Sequence, residues 1–179
     1  MKIYSTRHGE TQWNAEDKIV GTTDITLSEK GIEQAKELAK KIKKNCEIQQ
    51  IIASSMLRAM HTAQIISEEI DVQIIFDERL REWDYGSYEG MDRCTDGFFE
   101  NKRNFGVKMG GKGESFLQLT HRVYSFLDEI IAKYRGKNVL IVSHGGVCRA
   151  IETYFKDMTT DEFSNWFAEN CQLLEYEID

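Results

Sequence analysis

Two stretches of the chain set a histidine beside glycine where a short apolar run ends: Thr6-Arg7-His8-Gly9-Glu10-Thr11 and Ser143-His144-Gly145-Gly146. A third run ends in Ser54-Ser55-Met56-Leu57-Arg58-Ala59 and supplies an arginine. Arginine's planar fork suits phosphate oxygens two at a time. A glycine beside each histidine lets backbone N–H groups come close to an anion. Around a phosphoryl group, one neutral imidazole can attack phosphorus and give a covalent phosphohistidine. The other can donate to the equatorial oxygens as charge builds there. Arg7 and Arg58 would neutralise the dianion, so that it does not repel the nucleophile. The departing alkoxide then needs a proton. Glu82, in Leu80-Arg81-Glu82-Trp83-Asp84-Tyr85-Gly86, has aromatic neighbours that could keep water from its carboxyl. Asp84 and Glu89 lie close by in sequence.

The elements around these residues alternate. Lys2 to Thr6 reads as a strand running straight into the first histidine loop. Ser28 is a candidate N-cap, and Glu29 to Lys44 puts Ile32, Ala35, Leu38, Ala39 and Ile42 on one helical face. A strand over Ile48 to Ala53, a helix from Met56 to Ile70 and a strand over Val72 to Phe76 follow. Arg79 to Gly113 reads as loops and short helices. Within it, Met91 to Gly113 is locally basic, and it reads as solvated loop. Phe116, Leu119, Val123, Phe126, Leu127, Ile130 and Ile131 mark a long amphipathic helix. Val139-Leu140-Ile141-Val142 is a continuous β-branched run, as in a parallel sheet covered on both faces. A helix after His144, another from Thr160 to Ala168 and a strand from Leu173 to Ile178 complete the order. Alternating strands and helices imply one three-layer α/β/α domain over residues 1–179, with a mainly parallel central sheet. In such sheets ligands sit at the carboxyl ends of strands, where both histidines fall.

The ordered motifs resemble the histidine phosphatase superfamily, the phosphoglycerate-mutase-like fold. Arg7-His8-Gly9-Glu10-Thr11 matches its signature, followed by Trp13-Asn14 and by Ser54 to Ala63. Leu80 to Gly90, Gly113-Glu114-Ser115 and Ser143 to Gly146 complete the set. A lone Arg-His-Gly arises by chance in roughly 2% of chains this long, so the order of six blocks carries the resemblance. It implies His8 as nucleophile, with Arg7, Arg58 and His144 holding the phosphoryl group and Glu82 acting as acid and then base. It also implies that Asn14, Gly21 and Gly145 contact phosphate or substrate. No metal or organic cofactor is implied. The chain is short for the cofactor-dependent phosphoglycerate mutases. Its Leu80 to Gly90 block looks like the small phosphatase branch, which includes broad-specificity phosphatases and α-ribazole phosphatase. The expected activity is metal-independent hydrolysis of small phosphorylated metabolites; a mutase is the alternative, and sugar-bisphosphate hydrolysis a further option. A lid over about 80–113 would set specificity. The chain departs from the pattern at Val20, where members carry a polar residue, and at Thr26 and Ser55, where proline is usual. Met56 and Leu57 put bulk into the arginine loop.

Composition narrows the partners. The net charge is -7, from 23 basic and 30 acidic residues, which argues against generic binding to nucleic acid or anionic membranes. No run approaches 18 apolar residues, and the first residues lack the apolar core of a signal peptide. Four cysteines without a CxxC pair read as free thiols, so a cytoplasmic protein is expected. The chain has no proline, where average usage of about 5% predicts roughly nine. With proline missing at Thr26 and Ser55, a looser pocket rim is expected. His61 and His121 lie on helices and receive no role. Gly106 to Lys112 mimics a phosphate-binding loop but is followed by Gly113 instead of a metal-binding hydroxyl.

Overall fold

Burial alternates along the strands, and that alternation defines the layers. In the computed structural model, which describes Met1 to Ile178, β1 (Lys2–Arg7) sends Ile3 into one core and Tyr4 into the other. After a short helix α1 (Gln12–Ala15) and α2 (Glu29–Asn45), β2 (Gln50–Ala53) divides Ile52 from Ile51 and Ala53 in the same way. Helix α3 (Leu57–Ile70) and β3 (Ile74–Phe76) lead to a segment of loops and short helices that holds α4 (Phe98–Arg103). Then come α5 (Phe116–Lys133) and β4 (Val139–Ser143), buried throughout, with Val139 and Ile141 on one side and Leu140 and Val142 on the other. Helices α6 (Gly145–Phe155) and α7 (Thr160–Asn165) and strand β5 (Leu173–Glu177) finish the chain. The apolar residues of α2 and α3 cover one face, and those of α5 and α6 the other.

Among the described residues the sheet order is β3-β2-β4-β1-β5. All pairs are parallel except β1 with β5. The expected fold class is therefore the observed one. Element bounds differ from expectation by one or two residues except at α7, which stops at Asn165 instead of reaching Ala168. There the carbonyls of Trp166 and Ala168 turn to guanidinium groups of Arg149 and Arg7.

Register is what positions the site. Arg7 pairs with Ser143, so the next residues, His8 and His144, leave adjacent strand ends side by side. Ala53 pairs with Val142, which brings Ser54 to the same edge. Caps fix the helices that flank it. Ser28 accepts from Gly31 N–H at 3.1 Å, and Ser115 and Gln118 form a capping box on α5. Helix α3 has no side-chain cap of its own; Asp24, from the loop after β1, accepts from Leu57 N–H at 2.9 Å. The rim expected to be loose without proline thus carries this tie, and Ser55 Oγ donates to Glu78 at 2.5 Å. Of the two residues expected to put bulk into the arginine loop, Met56 is buried, but Leu57 is 40% exposed, because its place in the first turn of α3 turns it to solvent.

Candidate active site

His8, Arg58 and His144 are buried together at the carboxyl ends of β1, β2 and β4. The His8 and His144 rings meet edge to face, with centroids 5.3 Å apart. His8 Nδ1 lies 2.7 Å from the Gly9 carbonyl, which can only accept, so Nδ1 carries the proton. Nε2 then carries the lone pair, which accepts from Arg58 Nε at 3.1 Å. Burial, then Arg58 and Arg7, push the His8 pKa well below its usual value, so the ring is neutral at physiological pH. The same holds for His144, lowered by burial and then by Arg58.

Arg58 is held on every side. Its NH1 donates to Thr23 O at 2.9 Å and its NH2 to Gly21 O at 2.7 Å. Burial lowers its pKa to about 10, which leaves it charged at neutral pH. Gly21 has φ +59, and a Cβ there would lie 2.1 Å from Glu89 Oε1. Glu89 accepts from the backbone and hydroxyls of Thr22 and Thr23, so it braces the loop whose carbonyls hold Arg58. The three neighbouring carboxylates are thus placed differently. Glu89 is a brace and Asp84 caps a turn through Gly86 N–H. Glu82 faces the cavity, accepting from Trp83 N–H at 2.8 Å and from Gly146 N–H at 3.0 Å at the start of α6. Gly146 is required there, since its Cβ would lie 2.6 Å from Glu82 Oε1.

A cavity of about 310 Å³ opens over these groups. Arg7, His8, Asn14, Gly21, Arg58, Glu82 and Gly145 line it, and His144 lies behind His8, wholly buried. Arg7 NH1 donates to Ala168 O at 3.1 Å. Among the described residues, Arg7 Nε and His144 Nδ1 are buried and have no hydrogen-bond partner. A Cβ on Gly145 would stand 3.7 Å from Arg7 Nε and 3.8 Å from Glu82 Oε2, so both face the same point over α6. Asn14 both caps α1 and lines the cavity: its Oδ1 accepts from Thr11 N–H at 3.2 Å.

Sequence reasoning missed several supports. Ser54 Oγ lies 2.8 Å from His144 Nε2, and Thr62 Oγ1 accepts from Gly9 N–H at 3.1 Å. Asn170 donates to the His8 carbonyl at 2.8 Å from across the sheet. The reading of the basic stretch as solvated loop is corrected in part. Lys108 and Lys112 are exposed, but Arg93 and Lys102 line the cavity, because α4 turns its Lys102 face inward with Phe98. Arg149, on α6, lines it as well. Its place beyond His144 on the same helix was the available signal.

A parallel α/β sheet with two neutral histidines, paired arginines and one carboxylate at its strand ends defines a site for phosphoryl chemistry. The family model of the histidine phosphatase superfamily (branch 1) matches residues 3–179, and the chain belongs to that superfamily. Among curated proteins it is 39% identical over 153 residues to a probable phosphoglycerate mutase GpmB of Escherichia fergusonii, covering 81% of this chain and 70% of that one. It is 34% identical to phosphoglycerate mutase-like protein 4 of Arabidopsis thaliana, over 84% of this chain and 69% of that one. Among solved structures, Bacillus stearothermophilus YhfR superposes with TM-score 0.88 at 32% identity, covering 99% of this chain and 91% of the other. A mycobacterial glucosyl-3-phosphoglycerate phosphatase shares the fold, with TM-score 0.84 at 23% identity, over 97% and 88% of the two chains. Among the described residues, no helix is long and apolar enough to cross a membrane.

Proposed function

We propose that the protein is a phosphomonoesterase that works through phospho-His8 on small phosphorylated metabolites. The observation that carries this is the His8 tautomer: Nδ1–H is tied to Gly9 O, and the Nε2 lone pair stands beside the Arg58 guanidinium. With substrate bound, the Arg58 Nε–H turns from Nε2 to a phosphoryl oxygen; Nε2 then attacks phosphorus, the P–Nε2 bond forms and the ester P–O bond breaks. Arg7, Arg58 and His144 bind the phosphoryl oxygens. Ser54 Oγ accepts from Met56 N–H, so its own proton is free for His144 Nε2, leaving Nδ1–H to donate to the phosphoryl group. Glu82 gives a proton to the departing alkoxide and then takes one from the water that displaces His8 from phosphorus. Phosphate leaves and the starting protonation states return. No step draws on a metal ion.

His8→Ala abolishes turnover of p-nitrophenyl phosphate, by roughly 10⁴-fold or more, and chelator leaves the native enzyme unaffected. An alanine variant that keeps its activity, or loss of activity with chelator, overturns the reading. The mutase-named relatives favour one second reading, phosphoryl transfer between positions of a phosphoglycerate. Incubation with 2- or 3-phosphoglycerate separates the two: free phosphate marks the hydrolase, the other isomer marks the mutase.

A further inference from the structure

The cavity carries more positive charge than one phosphoryl group requires. Arg7, Arg58, Arg93, Lys102 and Arg149 line it, and among the described residues Glu82 is its only lining carboxylate. Arg7 and Arg58 belong to the phosphoryl end. Arg149 spends two N–H groups on Trp166 O, at 3.0 and 2.5 Å. Arg93 and Lys102 remain. Among the described residues, neither side chain makes a hydrogen bond or an ion pair. Lys102 Nζ instead sits over the rings of Phe98, Phe99 and Tyr85, at 4.3, 5.4 and 5.6 Å from their centroids. Such a cage favours a cation but gives it no counter-charge. Burial, then Arg149 and Arg93, push the Lys102 pKa down to about 7; Arg7 lowers it too, and Glu82 alone opposes them.

We propose that Arg93 and Lys102 form a subsite for a second oxyanion on the same substrate, at the end of the molecule away from the phosphoester. This rests on the phosphatase reading and narrows its substrate class to phosphomonoesters with a second acidic group. The second anion supplies the missing counter-charge and restores the charge of Lys102. Below pH 7 the ammonium is already charged and affinity for the second anion is full. Above pH 7 binding must take up a proton, so that affinity falls. Arg149, Arg7 and Arg58 stay charged across this range although burial lowers their pKa values, and Tyr85 stays neutral because burial raises its own.

The test compares ligands of one carbon skeleton. Sorbitol 6-phosphate has no second anion, 6-phosphogluconate adds a carboxylate and sorbitol 1,6-bisphosphate adds a phosphate. Glycerol 3-phosphate and 3-phosphoglycerate repeat the carboxylate comparison at a shorter span. At pH 6.5 at least one doubly anionic member has kcat/KM about tenfold or more above its neutral partner, the scale of a charge-assisted contact. Which of the two six-carbon acids gains more identifies the oxyanion as carboxylate or phosphate. Lys102→Met shrinks that ratio at least fivefold, and Lys102→Arg keeps it while removing its decline between pH 7 and 8. Equal kcat/KM within every set, or a ratio unchanged in Lys102→Met, overturns the subsite. Calorimetric binding of the same ligands to His8→Ala separates the two claims. Discrimination there without turnover by the native enzyme sinks the phosphatase reading and leaves the subsite standing.

Discussion

Two sets of groups line the cavity, and they are held in different ways. At the strand ends His8 and Arg58 are each fixed by several hydrogen bonds that start from strand register, His8 by Gly9 O, Arg58 and Asn170, and Arg58 by Gly21 O and Thr23 O, while Arg7 and His144 each keep one ring or guanidinium nitrogen unpaired among the described residues. In the 79–113 segment Lys102 rests on aromatic rings, and among the described residues the Arg93 side chain has no partner. The loop over Trp166 to Ala168 is clasped by Arg149 on one side and Arg7 on the other. The contrast shows where precision is needed. A nucleophile must meet phosphorus within a fraction of an ångström, and a sheet edge supplies that rigidity. Recognition of a distal charge tolerates more movement, and loops are free to vary.

Substitutions can break this contrast. Glu82→Gln should lower kcat by about 10²–10⁴-fold for alkyl phosphates, and by less for p-nitrophenyl phosphate, whose leaving group needs little protonation. Equal losses for both esters would remove Glu82 as the proton donor. Arg149→Met should leave the Trp166 carbonyl without its donor, at about 1–3 kcal/mol of stability. If the loop transmits to Arg7, kcat/KM for small phosphate esters falls about tenfold as well. Denaturant melts read beside kinetics tell a transmitted effect from a merely local one.

The buried histidines sharpen the contrast through pH. Their folded pKa values lie well below the unfolded value of about 6.5, so the unfolded chain binds more protons in acid. The stability they contribute is complete above about pH 6.5 and declines as pH falls, by up to about 1.4 kcal/mol per pH unit for each ring. Urea melts from pH 7 to pH 5 should show that slope, and His8→Ala should reduce it. The smallest effect is expected at the rim. Ser55→Pro should change stability by no more than about 1 kcal/mol, since proline stiffens a loop already tied through Asp24. A large loss on thermal melting would mean that Ser55 needs a backbone shape proline cannot adopt.

The placing of both histidines at adjacent strand ends was legible in the sequence because its signal is local. Arg7-His8-Gly9 and Ser143-His144-Gly145-Gly146 each follow an apolar run, and a strand must end where such a run meets glycine. The alternation of strand and helix patterns then required the three layers. Other features were decided only by tertiary contact. Glu82, Asp84 and Glu89 are alike in sequence; which of them faces the cavity depends on Gly146 and on the loop holding Thr22 and Thr23. Lys102 and Lys108 belong to one basic stretch, yet a short helix turns the first into an aromatic cage and leaves the second in water. Periodicity reports which face of an element is apolar, over spans long enough to repeat. It carries no information on which long-range partner takes a single polar side chain, because that depends on the path of segments distant in the chain.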